Sequence, residues 1–295
     1  MADLATPAGT AHVLRSHGIR PRKRFGQHFL VSRATLERIL EAAALTPQDG
    51  ILEVGAGIGT LTVALAPRVR AVVAVEMDPA LLPALREQTA PFANVALQSG
   101  DIMRMDLQAL AGRLPPPRKT VSNLPYNIAS PLLAALLEPS LRFRRLVVTV
   151  QREVAERLTA SPGTKAYGAL SVAVQYRAAA DVVARVPPAA FFPRPDVESA
   201  VVRLAPHDEP PVEVGDEALF RRVVRAAFAQ RRKTLRNTLA AGLLIAPDAA
   251  AAACRAAGLD PGRRGETLDL AAFAALARAL AAAGGKLPRP REDHR

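Results

Sequence analysis

From residue 51 to residue 204, short apolar runs alternate with segments whose apolar positions recur every three or four residues. The runs Ile51–Val54, Ala71–Val75, Val95–Gln98, Lys119–Ser122, Leu146–Val150, Leu170–Gln175 and Ala200–Leu204 have strand length, and most are rich in β-branched residues. The segments Thr60–Ala66, Pro79–Thr89, Ser130–Glu138 and Arg152–Ala160 carry helical spacing, and Ser32 is the predicted N-cap of a helix over Ser32–Ala44. Continuous apolar strands separated by helices predict an α/β fold with a parallel sheet covered on both faces. No helical pattern separates the last two runs, so an antiparallel edge hairpin is expected there. Residues 205–216 are Pro-rich and polar, as linkers are. The pattern beyond them is helical. The expected domains are therefore 1–206, with 1–20 loosely ordered, and a small all-helical domain at 210–295 with a disordered Lys286–Arg295 tail.

Charge sharpens this picture. The 295-residue chain has a formal net charge of +12. Residues 210–295 hold 15 Lys/Arg against 9 Asp/Glu, so half the net charge sits in less than a third of the chain. Lys and Arg release counterions from phosphates, so the imbalance points to a nucleic-acid partner. Arg221, Arg222, Arg225, Arg231, Arg232, Lys233 and Arg236 fall within 16 residues that contain no acid. Placed on a helix, they would repel one another unless a polyanion lay near. The run Arg22-Lys23-Arg24 is a weaker signal of the same kind. Cys254 is the only cysteine, which excludes an intrachain disulfide and a cysteine-based zinc site. His207-Asp208-Glu209 echoes half of a zinc-deaminase motif whose cysteines are missing, so no metal is predicted. No apolar signal core or membrane-length apolar stretch is present, and a cytoplasmic, membrane-free protein is expected.

Two motifs carry chemistry. Gly55-Ala-Gly57-Ile-Gly59 joins a predicted strand to a helix, where glycines let the backbone turn and approach a ligand. Thr60 stands where a dinucleotide fingerprint has its third glycine. The Gly-x-Gly-x-Gly form is the one usual for S-adenosylmethionine. Glu76 ends the next strand, where an acid can accept both ribose hydroxyls of an adenosine. Asp101 follows the third strand and can accept from an adenine amine. No Gly-x4-Gly-Lys-Ser/Thr stretch exists, which argues against an NTPase. The second motif, Asn123-Leu124-Pro125-Tyr126, ends the fourth strand. An exocyclic adenine amine is a poor nucleophile because its lone pair is delocalised into the ring. The Asn123 side-chain oxygen and the Leu124 carbonyl can orient it and stabilise its developing charge. Tyr126 offers a stacking face, and Phe192, before Pro193-Arg-Pro195, is a candidate second wall.

From about Arg22 to about Leu270 the chain resembles the KsgA (RsmA) family of small-subunit ribosomal RNA adenine dimethyltransferases. The resemblance rests on Phe25-Gly-Gln27-His28-Phe-Leu30, the glycine loop, Glu76, Gly100-Asp101 and Asn123–Tyr126. It continues through Gln151–Leu158, Pro162–Ser171, Phe192–Pro195 and Phe228–Asn237. It implies a Rossmann-like seven-stranded methyltransferase domain followed by a helical one, with S-adenosyl-L-methionine as cofactor. It also implies dimethylation of two adjacent adenosines in the 3′-terminal hairpin of 16S rRNA, on the late 30S assembly particle. The chain is taken as monomeric. His28, Leu30, Gly55, Glu76, Asp101 and Asn123 are the implied cofactor contacts. His28 stands where many relatives carry Asn, Ser32 where an Asp is usual, and Arg264-Gly265-Glu266 keeps an Arg-x-Glu pattern loosely. Two other readings are an Erm-type methylase of large-subunit rRNA, against which Phe228–Asn237 argues, and an assembly factor that acts by occupancy.

Overall fold

The computed structural model describes residues 3–22 and 26–283. Lys23 and Arg24 of the basic run, Phe25 of the motif and the Lys286–Arg295 tail lie outside them. The chain starts with a helix rather than a loose segment: α1 (Pro7–Ser16) is capped by Thr6, whose hydroxyl accepts from the Gly9 amide, and Pro7 takes the first turn. The expectation of looseness fails because Leu4, Val13 and Leu14 pack with Phe29, Ile58, Leu81 and Ala84. That burial fastens ten residues whose own pattern is weak.

A two-residue strand, β1 (Phe29–Leu30), leads into α2 (Arg33–Ala43), capped by Ser32 as predicted. The sheet then builds from β2 (Gly50–Val54), β3 (Ala71–Glu76), β4 (Val95–Ser99), β5 (Arg118–Asn123) and β6 (Phe143–Gln151). Helices α3 (Thr60–Leu65), α4 (Leu82–Thr89), α5 (Leu107–Gly112) and α6 (Ala129–Leu136) connect them, and α7 (Arg152–Leu158) follows β6. The four pairings among these strands are parallel. All five residues of β2 are buried, as a strand covered on both faces requires. Lys119 on β5 lies under this core and donates to Asp49 at 2.7 Å and to the Ala44 carbonyl at 2.6 Å. It is tolerated because its charge is paired with the Asp49 carboxylate.

Two expectations need correction. Leu170–Gln175 is not a strand but most of α8 (Ala169–Gln175). Ser171 accepts from the Gly168 amide and donates to the Arg157 carbonyl, while Gln175 donates to the carbonyls of Leu158 and Ala160. These bonds, and the packing of Val172 and Tyr176 in a helical core, outweigh a β preference of at most about 1 kcal/mol per residue. The seventh strand is instead β7 (Ala178–Val186), whose Ala-rich sequence hides it. It forms the expected antiparallel edge hairpin with β9 (Ser199–Pro206), giving the order β4-β3-β2-β5-β6-β9-β7. A short β8 (Phe191–Phe192) pairs antiparallel with β1, Phe29 opposite Phe192.

The chain divides into two compact units, Met1–Glu156 with Ala178–Pro206, and Arg157–Arg177 with His207–Arg295. The division differs from the expected boundary at 157–177, which packs with the helices for the reason just given. The second unit contains α8, α9 (Glu217–Phe228), α10 (Leu235–Leu243), α11 (Pro247–Ala256) and α12 (Leu270–Ala282). Asp216 and Asp269 cap α9 and α12, and Phe220, Val223, Leu239, Cys254 and Phe273 fill its core. Among the described residues no single helix is long and apolar enough to cross a membrane.

Candidate active site

The carboxyl ends of the parallel strands open into a cavity of about 290 Å³. In open α/β sheets ligands bind at that edge. The glycine loop forms one wall. The amides of Gly55 and Ala56 donate to the Val75 carbonyl, and the Gly57 amide donates to Glu76 at 2.7 Å. Gly57 has φ +62°, and a Cβ there would stand 3.3 Å from the Phe29 ring. A side chain at 57 would meet both backbone strain and that ring.

Glu76 is 7% exposed. Its second oxygen accepts from the Asp78 amide at 2.7 Å. Burial raises its pKa even though backbone N–H groups favour its charge. Asp101 lines the same cavity and caps the turn after β4 by accepting from the Met103 amide. Two further acids belong to this region that the sequence motifs do not include. Glu53 on β2 is 2% exposed, lines the cavity, and its Oε2 has no hydrogen-bond partner among the described residues. Burial, reinforced by the charge of Glu76, raises its pKa to about 8. A signal for it exists in the sequence: it is the one acid inside any of the predicted apolar runs. Asp78, 1% exposed, accepts from Arg22 at 3.0 Å and Gln27 at 2.8 Å and so anchors the 26–30 segment. Only the chain's return over the sheet reveals that role.

The opposite wall is Asn123–Tyr126. The Asn123 Nδ2 donates to the His28 carbonyl at 3.0 Å, while its Oδ1 is buried without a partner among the described residues. A buried acceptor left unsatisfied is costly, and a ligand donor would relieve it. The Tyr126 hydroxyl lies 2.6 Å from Ser199 Oγ, and its ring stacks against His28 with centroids 5.5 Å apart. No sequence signal marks Ser199, because it is remote along the chain and adjacent only through β9. Burial also pushes the Tyr126 hydroxyl pKa up. The structure thus brings His28, Leu30, Gly55, Glu76, Asp101, Asn123, Leu124, Pro125 and Tyr126 to one cavity. Phe192 is not among its lining residues. It is 40% exposed beside Phe29, whereas Phe191 faces the core.

The basic segment is not one helix. Arg221, Arg222 and Arg225 lie on α9, which ends at Phe228. Arg231, Arg232 and Lys233 lie in the following turn, and Arg236 opens α10. α9 stops where the Ala229 amide turns back to the Ala226 carbonyl, and the first amides of α10, those of Leu235 and Arg236, donate to the carbonyls of Arg263 and Pro261. Nor does it lack acids in space: Glu217 pairs with Arg221, Glu266 with Arg231 and Asp248 with Arg236. Arg225, Arg232 and Lys233 are exposed and have no ion-pair partner among the described residues. Among those residues no group of three His, Cys, Asp or Glu could hold a metal.

Comparison with known proteins adds to this geometry. The family described as Ribosomal RNA adenine dimethylase matches residues 18–273. A "Ribosomal RNA small subunit methyltransferase A" of Pelotomaculum thermopropionicum is 48% identical over 97% of this chain and 100% of its own length. Its counterpart from Geobacillus kaustophilus is 46% identical over 96% and 99%. A crystal structure of a dimethyladenosine transferase from Plasmodium falciparum superposes with a TM-score of 0.69 at 25% identity, covering 84% of this chain and 95% of that one. The 23S rRNA methyltransferase ErmE gives 0.64 at 28% identity over 85% and 99%.

Proposed function

Because the chain belongs to the ribosomal RNA adenine dimethylase family, we propose that it dimethylates the N6 amines of two adjacent adenosines in the 3′-terminal hairpin of small-subunit rRNA. The observation that carries this reading is the buried Asn123 Oδ1, without a partner among the described residues, in the cavity that Tyr126 also lines. An amine donor of a base stacked on Tyr126 completes it. The substrate is the late 30S assembly particle, and the protein acts as a cytoplasmic monomer. Large-subunit rRNA is the alternative that ErmE suggests. The higher identity of the small-subunit relatives favours the first reading.

The cavity suits S-adenosyl-L-methionine. A carboxylate ends β3, a second follows β4, and Gly57 keeps a Cβ out of the space against Phe29. Glu76 would accept the ribose hydroxyls, Asp101 the adenine amine, and the backbone at Gly55, His28 and Leu30 would enclose the rest. When bound, this cofactor supplies a methyl group on a cationic sulfur. Asn123 Oδ1 and the Leu124 carbonyl hold the target amine in line and stabilise the positive charge that develops on its nitrogen. Pro125 fixes the turn, and Ser199 holds Tyr126 through its hydroxyl. Phe192 supplies an aromatic face from outside the cavity lining. The test is reverse transcription of small-subunit rRNA from cells with and without the gene. The paired stops near the 3′ end are expected to vanish with it, and stops that persist would overturn the assignment.

Arg221, Arg222, Arg225, Arg231, Arg232, Lys233 and Arg236 form the RNA-phosphate contacts of the helical unit. Those without an internal acid contribute most, because they need not give up a partner. Replacing both Arg232 and Lys233 by Ala should weaken rRNA binding at low salt. It should also reduce the slope of log K against log salt by roughly 1 for each phosphate that no longer meets a cation. Filter binding across a salt series reads this, and an unchanged slope argues against the assignment.

A further inference from the structure

We propose that Asp78 and Gln27 are positioning residues for methyl transfer: through the backbone of the 26–30 segment they hold the Asn123 amide with its oxygen free for the target amine. The inference rests on the adenine-dimethylating reading above. Asp78 is not among the residues that line the cavity, so it acts through what it holds. It is 1% exposed and stands two residues after Glu76. Its Oδ2 accepts from Gln27 Nε2 at 2.8 Å, and its Oδ1 accepts from the Arg22 guanidinium at 3.0 Å. Gln27 Oε1 in turn accepts from the Arg22 amide at 2.7 Å. That contact fixes which end of the Gln27 amide faces Asp78, so the latch has a polarity.

On its other side the segment is held by β1, where Phe29 stands opposite Phe192 and Leu30 opposite Phe191, and by the Val31 amide, which donates to the Ala190 carbonyl at 2.8 Å. His28 lies between the two ties, and its carbonyl accepts from Asn123 Nδ2 at 3.0 Å. A carbonyl only accepts, so this contact sets the orientation of the Asn123 amide. It leaves Oδ1 as the acceptor without a partner among the described residues. A backbone carbonyl is present whatever side chain stands at 28. The chemistry needs the orientation it imposes. The torsion that turns an Asn amide is broad and roughly two-fold, so an unheld Asn123 visits both faces. Reversed, it would aim N–H groups at an amine that itself donates and at a nitrogen that is becoming positive. Held, it presents oxygen to both.

The experiment exchanges the polarity of the latch. Asp78→Asn sets an N–H group against Gln27 Nε2, and Gln27→Glu sets two carboxylates together. Both substitutions in one chain restore each bond with donor and acceptor reversed, because the new carboxylate accepts from the new amide and from the Arg22 N–H. Gln27→Ala removes the tie and leaves Asp78 paired with Arg22, so it reports even where a polar variant does not fold. Single-turnover transfer to undermethylated 30S particles is read at saturating S-adenosyl-L-methionine, with cofactor affinity by calorimetry. Each single variant should be slower by on the order of ten- to a hundredfold, the scale expected when a group that orients a reactant is displaced from a distance. The exchanged pair should regain most of that rate. In an Asn123→Ala background the same substitutions should cost nothing further, since the group they position is gone, whereas a merely structural cost would add to that of Asn123→Ala. Native speed in Gln27→Ala, a loss confined to cofactor affinity, no recovery in the exchanged pair, or full additivity with Asn123→Ala overturns the proposal. If the native chain methylates no adenine, the functional reading itself falls, and this inference with it.

Discussion

Asn123→Ala should lower the rate of methyl transfer to rRNA by about 10²–10³-fold, the usual effect of removing one positioned group that meets developing charge. The buried Oδ1 is the atom at stake, since it has no partner among the described residues. The variant also loses the Nδ2 bond to the His28 carbonyl, so stability should drop by about 1 kcal/mol. Single-turnover kinetics on undermethylated 30S particles, with cofactor affinity by calorimetry and thermal unfolding alongside, separates these effects. A loss of rate matched by an equal loss of cofactor affinity would make Asn123 a cofactor ligand and nothing more. A variant without transfer that still restores 30S assembly in cells would assign the essential role to occupancy.

The second large effect concerns Glu53. Its carboxyl is held at a pKa of about 8 by burial, against an ordinary value of 4.5. The folded chain therefore keeps this proton where the unfolded chain has lost it. For such a raised acid, the contribution to stability is full below the unfolded value and is lost as pH climbs through the folded one. Glu53→Gln removes the titration while keeping the shape. The variant should match the native chain near pH 4 and exceed its stability by on the order of 4 to 5 kcal/mol at pH 9. Urea denaturation at the two pH values reads the difference directly. Equal stabilities at pH 9 would mean that Glu53 ionises in the fold without cost. Saturating cofactor should narrow the gap if its positive charge sits near this carboxylate, since a nearby cation favours the ionised form.

Much of the site was legible without coordinates because its chemistry is local. The glycine loop, Glu76, Asp101 and Asn123–Tyr126 each stand at the carboxyl end of a strand that its own apolar run reveals. A parallel sheet brings all those ends to one edge. The Ser32 cap, six of the seven sheet strands and the charged helical C-terminal region follow from the same short-range signals.

What the sequence withheld depends on contacts between distant segments. Pattern alone turned Leu170–Gln175 into a strand and passed over Ala178–Val186. Helix and strand preferences differ there by less than the packing and hydrogen bonds that decide between them. The order of α1 comes from apolar residues brought to it by β1, α3 and α4. The acids that neutralise part of the basic segment lie 4 to 35 residues away in sequence. The buried orphans at Glu53 and Asn123, the Ser199 bond to Tyr126 and the fixed face of His28 exist only once the chain has closed over the sheet. The sequence by itself determined which chemistry the strand ends can offer. The tertiary structure decided which of those groups lose water and partners, and it is desolvation that turns an ordinary carboxylate or amide into a working one.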